Sequence, residues 1–207
     1  MRIRTVCLLL GAVLMAGCIP NLNFWWQKSL HPFYQPQDLV FEEGLLGTWR
    51  EGEEPAAGCE DTGNFWIFSQ REAGGYQLAV GDGNQPNRYV AHLFELDNVL
   101  FLDIVPEERT VSTVPAHNLF KVITSERQLV FAALNPQWVQ GWLRENPGWL
   151  AHFAVVDEDH PEDREKDELV LTTDTVKFQE FLRAHWSEEH LFTDPQPLRR
   201  VADLKKD

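Results

Sequence analysis

From residue 45 onward the chain runs in short apolar stretches separated by turn residues. Leu46-Gly47-Thr48-Trp49-Arg50 opens the series, and Phe65-Trp66-Ile67-Phe68-Ser69 follows. A Gly74-Gly75 turn leads into Tyr76-Gln77-Leu78-Ala79-Val80, and Gly81 to Asn87 is a dense turn signal. Arg88 to Leu96 places Val90, His92, Phe94 and Leu96 on one face, and Asp97-Asn98 separates it from Val99 to Ile104. Asn118 to Thr124 and Gln128 to Leu134 form a further pair around Ser125-Glu126-Arg127. Alternate side chains of a strand point to opposite faces, so this pattern predicts an antiparallel meander.

The period then changes. Asn135-Pro136 starts a helix with proline at its first position, and Trp138, Trp142 and Leu143 recur on one side before Asn146-Pro147-Gly148 ends it. Trp149 to Val156 and Glu168 to Thr172 read as strands, separated by the charged stretch 157–168. Asp174 caps a second helix carrying Val176, Phe178, Phe181, Leu182 and His185 near one side. About nine strands and two helices, with no internal repeat and no second domain, make a mainly β chain. Its meander is the size to close into a small β-barrel with one or two helices packed on it. Closure also removes sticky edge strands.

The first residues have a different logic. Arg2 and Arg4 precede an apolar run from Val6 to Met15, the layout of a secretory signal peptide. That run is about ten residues, half of what a bilayer core requires of a helix. Leu14-Met15-Ala16-Gly17-Cys18 resembles the lipobox of bacterial lipoproteins. The resemblance implies cleavage before Cys18 and acylation of that cysteine, with membrane attachment through two or three acyl chains. Ile19 in the next position implies the outer membrane, where the host has one, as the place in the cell envelope. The chain then divides into a cleaved segment 1–17, a lipid-anchored tether 18–44, a barrel domain 45–192 and a polar tail 193–207. Trp25 and Trp26 suit either the headgroup region or packing on the domain.

Composition narrows the partners. Removing residues 1–17 takes away Arg2 and Arg4 and no acids, so the formal charge moves from -14 to -16. Such a chain is repelled by phosphate backbones, which excludes nucleic acid, and by anionic headgroups, which excludes attachment through a basic patch. Cys59, in a polar turn-rich stretch, is the only mature thiol besides Cys18, so no intramolecular disulfide supports the fold. Eight tryptophans and thirteen phenylalanines suit a packed barrel and a large apolar cavity equally.

Leu45-Leu46-Gly47-Thr48-Trp49 resembles the Gly-x-Trp signature that opens the first strand of lipocalins, so Gly47 and Trp49 are the fold-signature residues. The resemblance implies a barrel in which Trp49 plugs the closed end while the open end holds a small apolar ligand. Two further lipocalin features, a Thr-Asp-Tyr-like turn and an arginine closing on the tryptophan, are not evident in the sequence. A helix between the seventh and eighth strand-like runs departs from the pattern.

Candidate chemistry is sparse. His92, His117 and His152 fall on predicted strands or at their edges, and three imidazoles form a zinc set if they converge. No HExxH, nucleophile elbow, phosphate-binding loop or EF-hand spacing is present, so no metal, cofactor or catalytic residue is assigned. Asp103 stands out on an apolar strand and requires a partner if buried, with Arg88 and Lys121 the candidates. Two expectations follow. The barrel holds a hydrophobic small molecule or lipid between Phe68, Tyr76, His92 and Phe120. Otherwise it is filled, and the protein docks an envelope protein through Trp25, Trp26 or the 136–147 helix. Catalysis enters only if the histidines and Asp103 meet in one pocket.

Overall fold

The computed structural model describes residues 26–52, 63–81, 85–108, 114–124, 128–155 and 168–201. Among them the strands are β1 Lys28–Ser29, β2 Gly47–Glu51, β3 Phe65–Gln70, β4 Tyr76–Gly81, β5 Asn87–Leu96 and β6 Val99–Pro106. They continue as β7 His117–Thr124, β8 Gln128–Ala133, β9 His152–Val155, β10 Glu168–Leu171 and β11 Gln196–Arg200. The helices are α1 Pro136–Glu145 and α2 Thr175–His185. Strands β2 to β8 pair in sequence order, and β11 pairs with both β8 and β2, closing an antiparallel eight-stranded barrel. The fold is mainly β, a closed antiparallel barrel as the alternation predicts, and lipocalin-like as the Gly47–Trp49 resemblance implies.

Hydrophobic alternation places the strands. In β4, Tyr76, Leu78 and Val80 are buried while Gln77, Ala79 and Gly81 are partly exposed. Asp97 and Asn98 take φ of 51° and 64°, the two left-handed positions of a tight hairpin turn whose twist suits β5 and β6. Turns β3–β4 and β5–β6 and the last residues of β7 lie at one end of the barrel, which the strap 39–46 crosses. There Leu39 bridges to Phe94, and the Val40 amide donates to the Leu93 carbonyl. At the opposite end, the mouth, β2, β4, β6 and β8 finish and β3, β5, β7 and β11 begin.

Two segments depart from the expected boundaries. Residues 193–207 were expected to be a polar tail, yet Gln196–Arg200 is the eighth barrel strand. Pro197 is tolerated there because the β11–β2 ladder begins only at Leu198, so its missing N–H faces beyond the end of β2. Residues 26–44, expected to belong to a tether, pack on the domain. Phe33 is buried, and β1 inserts between β7, antiparallel, and β10, parallel. β10 carries β9 on its far edge, so the strands predicted at 149–156 and 168–172 form a side sheet rather than barrel wall. The two helices come before the strand that closes the barrel, which accounts for the out-of-pattern helix in the sequence.

The barrel wall separates two cores. Inside lie Trp49, Trp66, Phe68, Tyr76, Leu78, Leu93, Leu102, Ile104, Phe120, Phe131 and others. Outside, Phe94 and Phe101 on the wall meet Phe33, Leu143, Phe178, Phe181 and Leu182 beneath the helices. Asn135 accepts from the Gln137 and Trp138 amides and Asp174 from the Lys177 amide, satisfying otherwise orphaned donors at the two helix starts.

Candidate functional site

The strap end of the barrel is sealed by Trp49. Its ring is buried, and Nε1–H donates to the Leu45 carbonyl at 2.8 Å. Arg200, at the end of β11, brings its guanidinium to 5.1 Å from the centre of that ring and donates to the Leu46 carbonyl at 2.6 Å and to the Gly44 carbonyl at 3.4 Å. This is the closing arginine absent from the sequence-level signature. Gly47 makes room for it. Its φ is 117°, in the left-handed region, and a Cβ there would stand 3.2 Å from the Arg200 side chain. The Gly-x-Trp spacing thus has a local cause: glycine admits the arginine, and tryptophan takes its charge on its face.

Phe68, Tyr76 and Phe120 point into the barrel, as expected for interior positions. Phe68 lies 6.2 Å from Phe131 and 6.0 Å from Tyr76, ring centre to ring centre. Trp66 on β3 reaches Phe120 on β7 at 6.1 Å, edge to face. Those two strands are four apart in either direction round the barrel. Trp26, level with Phe120 in the β1–β7 register, packs on its ring at 4.8 Å, edge to face. Of the two aromatics near the expected anchor, Trp26 therefore packs on the domain, and Trp25 lies outside the described residues. At the strap end the Tyr76 hydroxyl accepts from the Glu42 amide at 2.7 Å and donates to the Glu42 carbonyl at 3.2 Å, while Phe41 stacks on its ring. Burial pushes the Tyr76 hydroxyl above its ordinary pKa.

His92 does not line the interior. Its neighbours Ala91 and Leu93 do, so the period of two turns His92 to the outer wall. There it faces Tyr34, with Nδ1 3.2 Å from the Tyr34 hydroxyl and the rings 4.8 Å apart. Asp103 pairs directly with His92 across β5–β6 and is fully buried. Its Oδ2 accepts from the Phe33 amide at 2.9 Å, and its Oδ1 lies 2.7 Å from His117 Nδ1. A carboxylate only accepts, which assigns the proton to His117 Nδ1. His117, rather than Arg88 or Lys121, is thus the side chain that partners Asp103. Lys121 lies over the Trp186 ring at 4.7 Å instead. Burial lowers the His92 pKa, opposed by Asp103 and assisted by Arg71 and His117. Burial and Asp103 both raise that of Tyr34, and Arg71 lowers it.

His152 does not join this row. It sits on exposed β9, where Nδ1 lies 2.9 Å from the Leu150 carbonyl. Among the described residues no group of three His, Cys, Asp or Glu is placed to hold a metal. The row Tyr34, His92, Asp103 and His117 acts as a polar latch: it ties the segment leading into the strap to the barrel wall. Compared with family models, curated proteins and solved structures, the chain matches none of them. On the 136–147 helix, expected as one docking surface, Trp138 and Trp142 are turned toward α2. Trp142 lies 4.9 Å from Phe181 and 5.2 Å from His185, and Trp138 lies 6.3 Å from His185. Sequence reading missed this aromatic surround of His185, although the i, i+4 spacing of Trp138 and Trp142 placed both rings on one side. Cys18, Cys59 and the charged stretch 157–167 lie outside the described residues.

Proposed function

We propose that this chain is a cell-envelope lipoprotein, held to a membrane by acylation of Cys18, whose barrel is packed by its own side chains and which works through its outer surface. The observation that carries the packed reading is the contact between Trp66 and Phe120, whose strands stand opposite one another in the wall. An eight-stranded barrel is just wide enough for side chains to fill, and rings that meet across it leave the lumen to themselves. The anchored reading rests on the lipobox-like Leu14 to Cys18.

A second reading keeps the barrel as a binder of an apolar small molecule or lipid chain. What favours it is the cluster of apolar side chains around Phe68 and Phe120 and the partly buried Trp26 packed against it. In that case Trp26 is displaced when ligand enters. Native mass spectrometry of the mature protein from a bacterial expression host tests both readings. Acylation adds mass that Cys18→Ala removes. A packed barrel carries no further adduct, and Trp26→Ala creates no retained lipid. Co-purifying lipid that increases in Trp26→Ala overturns the packed reading, and an unmodified Cys18 overturns the anchored one.

A further inference from the structure

We infer that the open edge of β9 pairs antiparallel with β9 of a second copy of this chain, about a two-fold axis through Phe153. The sheet itself selects that edge. Among the described residues every strand but β9 has a strand on both sides, and β9 has β10 alone. Its residues His152, Phe153, Ala154 and Val155 are all exposed. An open ladder edge is ordinarily blunted by a charged side chain, a proline or a bulge. β9 carries no Asp, Glu, Lys, Arg or Pro, and its register with β10 is unbroken from His152 to Val155.

The ladder also shows which backbone groups face outward. One step beyond the His152–Leu171 pair, the Thr172 amide donates to the Ala151 carbonyl at 2.8 Å, so Ala151 bonds toward β10. Bonding alternates along an antiparallel strand, so Phe153 and Val155 also bond toward β10, while His152 and Ala154 turn their N–H and C=O groups to the open edge. The Leu150 carbonyl shares that side, but it accepts from His152 Nδ1 at 2.9 Å. What the edge offers is therefore His152 and Ala154, placed symmetrically about Phe153. A two-fold axis through Phe153 sets His152 of each copy against Ala154 of the other, and both pairs complete both of their bonds. The imidazole then meets the smallest side chain of the strand. Phe153 meets Phe153 of the second copy in a non-hydrogen-bonded pair, where side chains lie closest and aromatic pairs stabilise a sheet. No like charges oppose one another across the pair, which matters in a chain of formal charge -14. β9 is thus its own complement, and the side sheet runs on from one copy into the next.

The test uses the full chain with its three cysteines replaced, Cys7→Ser, Cys18→Ser and Cys59→Ser, so that an introduced thiol is the only one. Phe153→Cys then sets two thiols on the axis, with Cα atoms about 4.5 Å apart, inside the range a disulfide spans. The control is Ile123→Cys, near the end of β7, a site more exposed than Phe153. Under mild oxidation Phe153→Cys should give a disulfide-linked dimer about tenfold faster than the control, because paired thiols react within a complex rather than by collision. Adding Ala154→Pro should bring that rate down to the control's, since it removes an edge donor that β10 does not use. Mixed Ala151→Cys and Val155→Cys chains keep Phe153 in place and read the register: they should cross-link faster together than either alone. Sedimentation of the chain without an introduced thiol should show a dimer that grows with concentration and that Ala154→Pro removes. A Phe153→Cys rate no greater than the control's, or one that Ala154→Pro leaves unchanged, overturns the inference. So does a mixed pair no faster than its members, or a chain that stays monomeric at every concentration.

Discussion

The two sides of the barrel wall are both apolar cores, but they are built by different means. The inner core draws on residues that alternate along neighbouring strands, and its polar groups are the Trp and Tyr tips, such as Trp49 Nε1 and the Tyr76 hydroxyl, and two side chains near the mouth, Glu51, which accepts from Trp66 Nε1, and Asn118. The outer core joins segments far apart in sequence and holds polar groups within it. Asp103 and Gln179 are fully buried there, and Gln179 donates to the Phe33 carbonyl at 3.1 Å and to Asp38 Oδ2 at 2.7 Å. Apolar contact has no direction, so a wall whose outer face must receive one particular covering segment needs hydrogen bonds to fix its position. The inner core requires no such guides, because the strand register already positions every ring.

The comparison breaks most severely from inside. Trp66→Ala should lower unfolding stability by about 3–5 kcal/mol, the cost of a large cavity among rings that do not relax, as read by urea denaturation. A loss below about 1 kcal/mol would mean the lumen is loosely filled. On the outer side Asp103→Ala leaves the Phe33 amide and His117 without their acceptor, for an expected loss of about 3 kcal/mol. Asp103→Asn should recover part of this, since an amide oxygen still accepts from Phe33. Equal losses for the two variants would show that cavity volume rather than the latch dominates. Arg200→Ala should cost about 1 kcal/mol, a partly solvated cation over an aromatic face, and should loosen the strap end, seen as faster amide exchange at Leu45 and Leu46.

The smallest effect is a pH dependence confined to the outer side. Burial holds the His92 pKa below its ordinary value. As pH falls, the unfolded chain protonates this imidazole first, so the stability present above the ordinary histidine value declines until the folded-state pKa is passed. Unfolding followed from neutral to mildly acidic pH should show that decline, and His92→Gln should remove its share. The inner-core variant Trp66→Ala should keep the same pH slope as the parent protein. A slope unchanged in His92→Gln would remove His92 from the account.

Much of the barrel was legible because its strands announce themselves locally. Phe68, Tyr76 and Phe120 followed from alternation within single runs. The segments that were misjudged lack that signal. β1 is two residues long, and β11 offers Leu198 as its one buried position amid Pro197, Arg199 and Arg200. Both become strands only because partner ladders already stand on either side. Asp103 was conspicuous as a carboxylate in an apolar strand, but its partner depended on register. Asp103 stands opposite His92 on one side and Leu119 on the other, which places His117 on the same face two residues along. His92 was assigned to the interior because its neighbours Phe94 and Leu96 are apolar too, and nothing local reveals that a second core covers the outside.

The position of β11 has a consequence for how the molecule comes into being. Chains emerge N-terminus first, from the ribosome or across a membrane. Once residue 133 of β8 has emerged, every barrel strand but one is available to pair, yet the edges of β2 and β8 still lack their common neighbour. They wait through more than sixty further residues, including both helices, before Gln196–Arg200 arrives to join them. During that interval the two ladders are open templates for any other strand, including those of a sister chain. Maturation should therefore be slow for the chain's size and sensitive to crowding, and its hazard is strand exchange between neighbours rather than loss of the finished core.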